Sequence, residues 1–423
     1  MATSSISSNA PSPSHNPKGG VLRRVFKAFE YRDFRIMWIG ACTSTIGTFM
    51  QTLAQAWLVL ELSKSAFYLG LDAFLSQIPI VLFSLIGGVV ADRMERRKLL
   101  IGSQVIQLSS AFILTALFAT GVVHIWHIMV LSFLTGTAQS FGGPAYQALI
   151  PSLVKPEDVP NAIGLNSIQF NLARIIGPML GGLALAKLGP AWCFGLNGLS
   201  FVFVIISLLI IRTRFNPVKT GDSMMTSLKQ GFSFVRKQPA MEALIVLAFL
   251  MTVLAIPLIV FLPVFARDVF KGSADLYTLF LCVSGGGAVC GALTVAYMGR
   301  FKHQGRGALL MLVVMGALMT VFAQSRSIVL SCAMIFLAGA AMMVSMVTIS
   351  SLVQMITSDN MRGRVMSVYN VAFRGGMPVG SLLVGALIPK FTAPVVLAVD
   401  GVLLAVLGAY FLFGRQTVAN LQG

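Results

Sequence analysis

Gly88-Val89-Val90-Ala91-Asp92-Arg93-Met94-Glu95-Arg96-Arg97-Lys98 is a short, densely charged stretch set between two long apolar segments. On its own it reads as a solvated turn between two helices. The spacing G-x-x-x-D-R-x-x-R-R-K adds an acid at the end of one apolar run and a basic cluster at the start of the next. What that pattern means depends on the chain around it.

The surrounding chain is 56% hydrophobic and only 11% charged, with a mean hydropathy of +0.84. An ordinary soluble domain is roughly 25% charged, so the composition is that of a membrane protein. The net charge of +17 lies in short loops. It reads as a membrane-orientation signal rather than a nucleic-acid surface, because no Lys/Arg block is interleaved with aromatics. Five cysteines (Cys42, Cys193, Cys282, Cys290, Cys332) sit in or beside apolar segments, with no CxxC pair. They read as small packing residues. The four histidines show no metal-ligand spacing, and no metal site is expected. Residues 1–20 are rich in Ser, Pro and Asn and read as disordered, with no cleavable signal.

A membrane-crossing helix needs ~20 apolar residues. Apolar segments occur near 34–61, 66–91, 99–122, 125–150, 161–186 and 191–211. After a polar break they resume near 240–265, 275–298, 307–323, 327–355, 364–388 and 392–414. The expected fold is therefore an all-α polytopic membrane protein of twelve spans in two six-helix bundles. Residues 1–33 form a tail, 34–211 the first bundle, 212–238 the linker, 239–414 the second bundle and 415–423 a second tail. Counting Lys and Arg in alternate loops gives 23 on the linker side and six on the other. The positive-inside rule puts both termini and the linker in the cytoplasm. Val21-Leu22-Arg23-Arg24-Val25-Phe26-Lys27-Ala28-Phe29 alternates apolar and basic residues, and reads as an interfacial amphipathic helix.

The two halves echo each other. Ser167, Arg174, Pro178 and Leu183 in the fifth span match Ser367, Arg374, Pro378 and Leu383 in the eleventh, each at an offset of 200. Repeated halves with a site between them are a common design for alternating access.

With these spans in place, the opening stretch resembles the signature between the second and third helices of the major facilitator superfamily of secondary transporters. Glu95 stands where that family normally has Gly. The resemblance implies that Asp92 docks against the start of span eleven and latches the outward-facing state. Gly88 completes the motif, with Arg93 and Arg97 as charge partners; the bland alternative is a loop carboxylate balanced by neighbouring arginines. The fifth span carries Gly164, Ala173, Gly177, Pro178, Gly181 and Gly182, similar to the superfamily's antiporter signature with Ala173 replacing one Gly. That likeness implies export. Close helix packing is a sufficient physical reason for the same residues.

Three further stretches resemble the branch of bacterial efflux permeases that includes the enterobactin exporters. They are Tyr31 to Trp38, Phe141 to Pro151, and Asn161 to Ser167 running on into Ala173 to Pro178. The likeness implies a multi-pass protein of the bacterial inner membrane, exporting a siderophore or drug-like molecule with proton motive force as the energy source. It implies no cofactor and no enzymatic activity. One departure stands out: drug antiporters of the superfamily carry an Arg in span four where this chain has Ser132, four residues before Gly136.

Arg174 and Arg374 lie near mid-span, and a charge there should face a cavity or a partner. Asp72 lies two turns into span two. An Asp72–Arg374 pair is one expectation, with Asp72 either carrying the coupled proton or forming a fixed ion pair. Asp400 in span twelve is a second carboxylate, ranked below Asp72. For the cargo cavity, Ser44, Thr48, Gln51 and Gln55 share one face of span one, and Ser132, Thr135 and Gln139 one face of span four. Ser345 and Thr348 add to span ten. Opposite them, Met251, Phe249, Met342, Met343 and Met346 suit an amphipathic cargo. The expected partners are that cargo and the lipid bilayer, with a monomeric protein and no nucleic acid. The rival readings are an uptake symporter or facilitator, and a non-transporting receptor.

Overall fold

The computed structural model describes residues 25–212, 224–299, 302–414 and 416–421; within its helices, the side chains of 84, 85, 88, 89, 91–93 and 224–227 lie outside the described residues. Twelve long helices follow one another: α1 (Arg32–Ser63), α2 (Ala66–Arg93), α3 (Arg96–Ala119), α4 (Ile125–Leu149), α5 (Val159–Lys187) and α6 (Pro190–Ile210). The second set is α7 (Pro239–Val260), α8 (Ala274–Met298), α9 (Gln304–Gln324), α10 (Ile328–Met355), α11 (Arg362–Phe391) and α12 (Ala393–Ala409). Between the sets, the linker holds a further helix, Met224–Arg236.

Local chemistry sets the ends. Ser65, Ser273 and Ser327 cap α2, α8 and α10 by accepting from Phe67, Asp275 and Leu330 backbone N–H groups. Pro190 and Pro239 open α6 and α7, where a missing N–H is harmless. Past the end of α7 the chain continues through a π turn at Phe265–Val269.

Ten of the helical segments are long and apolar enough to cross a membrane. The other two, α1 and α4, are long enough at 32 and 25 residues. They fall short because they carry the Thr/Ser/Gln stripes, which marks them as helices that line something polar rather than lipid alone.

The halves pack by one plan. In the first, α1 lies on α5 and α6, α2 on α4, and α3 on α4 and α6. In the second, α7 lies on α11 and α12, α8 on α10, and α9 on α10 and α12. The halves meet through α2 with α11 and α5 with α8. Exchanging the halves converts one of these junctions into the other, as a two-fold relation requires. Lipid tails are as apolar as the side chains, so association rests on packing and close approach rather than on a water-driven effect. Phe265, Phe280 and Phe322 form a fully buried aromatic cluster, with Phe265 and Phe322 centroids 4.8 Å apart and Phe280 and Phe322 6.1 Å.

The segment before α1 departs from a free interfacial helix. Lys27–Glu30 is a single 3-10 turn docked on the α4–α5 connection. Lys27 Nζ lies 2.7 Å from Asp158 Oδ1, Tyr31 Oη donates to Asp158 Oδ2 at 2.7 Å, and Ala28 N–H donates to Asn161 Oδ1. Residues 21–24 of that expected helix lie outside the described residues. At the other end, Leu421 accepts from Gly305 N–H, so the C-terminal tail docks at the start of α9.

Candidate functional site

The face bearing the linker is called the linker face; the other, with the Lys64 and Thr392 turns, is the opposite face. Among the described residues, the halves pack closely from mid-helix to the opposite face. There the Trp57 and Tyr277 rings stack at 6.3 Å, and Arg267 Nη1 donates to Leu60 O at 2.6 Å. Gly70 of α2 packs on Ser381 and Gly385 of α11, and Gly182 of α5 on Thr278 of α8. At mid-helix Val81 meets Gly375 and Ile175 meets Gly285.

The antiporter-type motif is built into these junctions. A Cβ on Gly177 would sit 2.5 Å from Phe49 Cβ of α1, and one on Gly181 3.0 Å from Met50 Cα. Gly182 faces α8 instead, so three small residues let α5 touch both α1 and the other half. Pro178 is buried between them. Gly164 has open space around it and takes no part in this packing.

Asp72 of α2 is 8% exposed. Gln55 Nε2 of α1 lies 3.0 Å from both its oxygens, and Ser132 Oγ of α4 donates to Oδ1. Three helices of one half thus converge on one carboxylate. Its partners are neutral donors, and no cation lies in ion-pair range among the described residues. A buried carboxylate held this way is rare in a membrane and is a functional candidate.

The expected Asp72–Arg374 pair does not form. With Gly70 against Gly385 and Val81 against Gly375, the register places Arg374 level with the Val81 region. Asp72 is nine residues from Val81, which is roughly 14 Å along the helix. Arg374 is exposed and Arg174 partly so, and neither has a hydrogen-bond or ion-pair partner among the described residues. An intramembrane Arg costs at least ~2.5 kcal/mol on insertion scales, so both need a wet or ligand-filled space.

Of the opening motif, the side chains of Gly88, Asp92 and Arg93 lie outside the described residues. Arg97 has an attachment to the end of α6. Its guanidinium donates to Leu209 O at 2.7 Å and Ile211 O at 3.2 Å, satisfying carbonyls at the end of α6. Arg96 reaches Ala148 O of α4 in the same manner.

The cavity residues divide. Thr48 and Gln139 are exposed on the inner side of α1 and α4. Gln51 accepts from Asn197 Nδ2 at 2.6 Å, and Ser44 is buried. Thr135 is half-buried and donates to Ser132 O. Ser345 and Thr348 do not open onto the cavity: both are buried, and Ser345 Oγ donates to Ala308 O of α9. Asp400 is buried where α12 crosses α9, its Oδ2 without a partner. Sequence reasoning missed the polar ties across the first half. These are Asn197 with Gln51, Gln169 with Thr45 at 2.7 Å, and Tyr146 with Asn166 at 2.6 Å. Their only signal was a lone amide inside an apolar run. No group of His, Cys, Asp and Glu among the described residues could hold a metal.

Residues 25–421 match the profile of the family described as transmembrane secretion effector. The enterobactin exporter EntS of Shigella boydii serotype 18 is 26% identical over 390 residues, covering 90% of this chain and 91% of the relative. Among solved structures, nucleoside transporter NupG superposes with a TM-score of 0.70 at 15% identity, covering 90% and 98% of the two chains. A bacterial homologue of the lysosomal transporter Spinster, solved in an inward-facing, unoccupied conformation, gives 0.69 at 15% identity, covering 95% and 98%.

Proposed function

The chain belongs to the transmembrane secretion effector family of the major facilitator superfamily, and from that premise we propose how it works as a secondary transporter. It exports a small amphipathic molecule, a siderophore or drug-like compound, by alternating access across the bacterial inner membrane. The linker face is cytoplasmic, as the distribution of 23 against six basic loop residues supports. Closed packing at the opposite face then corresponds to a state ready to load cargo from the cytoplasm. Proton exchange supplies the energy, and the protein works as a monomer in the bilayer.

One observation carries the coupling: Asp72 is buried, gripped by Gln55 and Ser132, and has no cation partner among the described residues. Neutral donors accommodate either protonation state with little rearrangement. The proton site therefore sits in the first half, beside the α2–α11 junction that must slide when the faces exchange. Asp92 is the latch for the outward-facing state, in which α2 and α11 approach at the linker face.

The test uses inside-out vesicles with an imposed proton gradient and a panel of catecholates, hydroxamates, cationic dyes and macrolides. Collapse of the gradient by one class, lost in Asp92→Asn vesicles, is the expected result. No response from correctly inserted protein overturns the reading.

A further inference from the structure

Of 31 basic residues, 29 lie in the tails, loops or helix ends; Arg174 and Arg374 are the two left inside the membrane. Each sits near the middle of its helix, on α5 and α11, 200 residues apart. At 100° per residue, Arg174 points away from the exposed apolar stripe of Leu172, Met179 and Leu183. It lies between the α1-facing side (Gly177, Gly181) and the α8-facing side (Gly182). Arg374 likewise opposes Leu383. It shares the side of α11 that meets α2 (Ser381, Gly385) and turns away from the side on α7 (Gly376, Gly380). Each arginine therefore sits at a junction between the halves, Arg174 at α5–α8 and Arg374 at α2–α11, one from each half.

Neither is paired with an acid among the described residues. The intramembrane carboxylates lie elsewhere: Asp72 is held by Gln55 and Ser132, nine residues along α2 from the level of Arg374, and Asp400 is buried at the α9–α12 contact. A built ion pair would have needed an acid on a neighbouring helix at the same level, and none is paired with either arginine among the described residues.

We propose that Arg174 and Arg374 are a two-point anion site, and that the cargo is an organic dianion presenting acidic oxygens, as carboxylates or catecholates, to both halves. The inference deepens the exporter reading and rests on it. Guanidinium binds such groups through paired N–H donors. A ligand bridging one cation from each half holds the halves together only when both arginines face the same space. That gives the cargo different affinities for the two faces' states, as population shift requires.

The test is calorimetric binding to the full-length protein in nanodiscs. The probes are an amphipathic dicarboxylate, a bis-catecholate and the neutral dimethyl ester of the dicarboxylate. The wild type should bind the dicarboxylate at least tenfold more tightly than the ester. Arg174→Gln and Arg374→Gln should each remove most of that preference, Lys at either position should restore part of it, and ester binding should not change. Melting curves check that the variants fold. Equal wild-type binding of dicarboxylate and ester overturns the site, as does a preference retained in the double Gln variant. Gradient collapse is measured separately. Export of dyes without anion preference removes the anion site alone. Anion preference without collapse by any compound removes the export reading and keeps the site.

Discussion

Gln55 Nε2 lies 3.0 Å from both carboxylate oxygens of Asp72, so a neutral amide spans the acid where a salt bridge would have neutralised it. Asp72→Asn is close to isosteric and keeps a hydrogen-bonding partner for Gln55 and Ser132. The variant should reach the membrane in normal amounts, bind cargo within about threefold of wild type, and lose cargo-driven collapse of a proton gradient. Unchanged proton dependence in vesicles would exclude Asp72 as the coupling group.

Two members of the opening motif should separate cleanly. Asp92→Asn should abolish transport with protein level unchanged. Arg97→Ala should instead strip two carbonyls at the end of α6 of their charged donor, a loss of about 1.5–3 kcal/mol when such a bond is removed. It should lower the melting temperature while leaving the stoichiometry of coupling intact. Transport and thermal stability measured side by side on both variants decide the matter.

Gly182→Val should disable transport through geometry alone. A Cβ there meets the Thr278 side chain, so α5 and α8 cannot close at the opposite face. A cysteine placed near Trp57 should become more reactive to an impermeant thiol reagent applied from that face. Labelling no faster than in the parent would show that the junction absorbs the extra bulk.

The clasp before α1 is pH-dependent at its alkaline end. The hydrogen bond to Asp158 raises the Lys27 ammonium above the ordinary lysine range, and the same acceptor raises Tyr31. A raised value in the folded state means the contribution is fully present below the ordinary value and is lost as pH rises through the raised one. Lys27→Ala should therefore lower the melting temperature in detergent at pH 7. The gap to wild type should close only above the ordinary lysine value of about 10.4. A gap that closes between pH 7 and 9 would show that another group sets it.

The spans were legible because lipid demands ~20 apolar residues and leaves few ways to meet the demand. The repeat was legible through Arg174 and Arg374, whose equivalence the packing plan repeats helix by helix. Depth between helices was not legible. Nothing in α2 or α11 alone reveals that Gly70 meets Gly385, and that single contact separates Asp72 from Arg374. Ser345 and Thr348 failed for another reason. α10 is apolar nearly all round, so its pattern does not say which side faces its neighbours. The Gln55–Asp72–Ser132 triad was visible only as separate residues. Ser132 was noted for the Arg it lacks, whereas its hydroxyl is one of the two groups that hold the acid.

Val81 against Gly375 and Ile175 against Gly285 mark the same level on the two junctions between the halves. If the halves rock, that level is the fulcrum, and the Trp57–Tyr277 stack and the linker face are the ends of the lever. Side chains at the fulcrum travel little and feel added bulk in both states, so enlarging them should slow the whole cycle. Side chains at the ends travel far and feel it in one state, so the same enlargement should hold the cycle at one extreme. Position along the lever, more than chemical type, then sorts mutants into slow transporters and arrested ones.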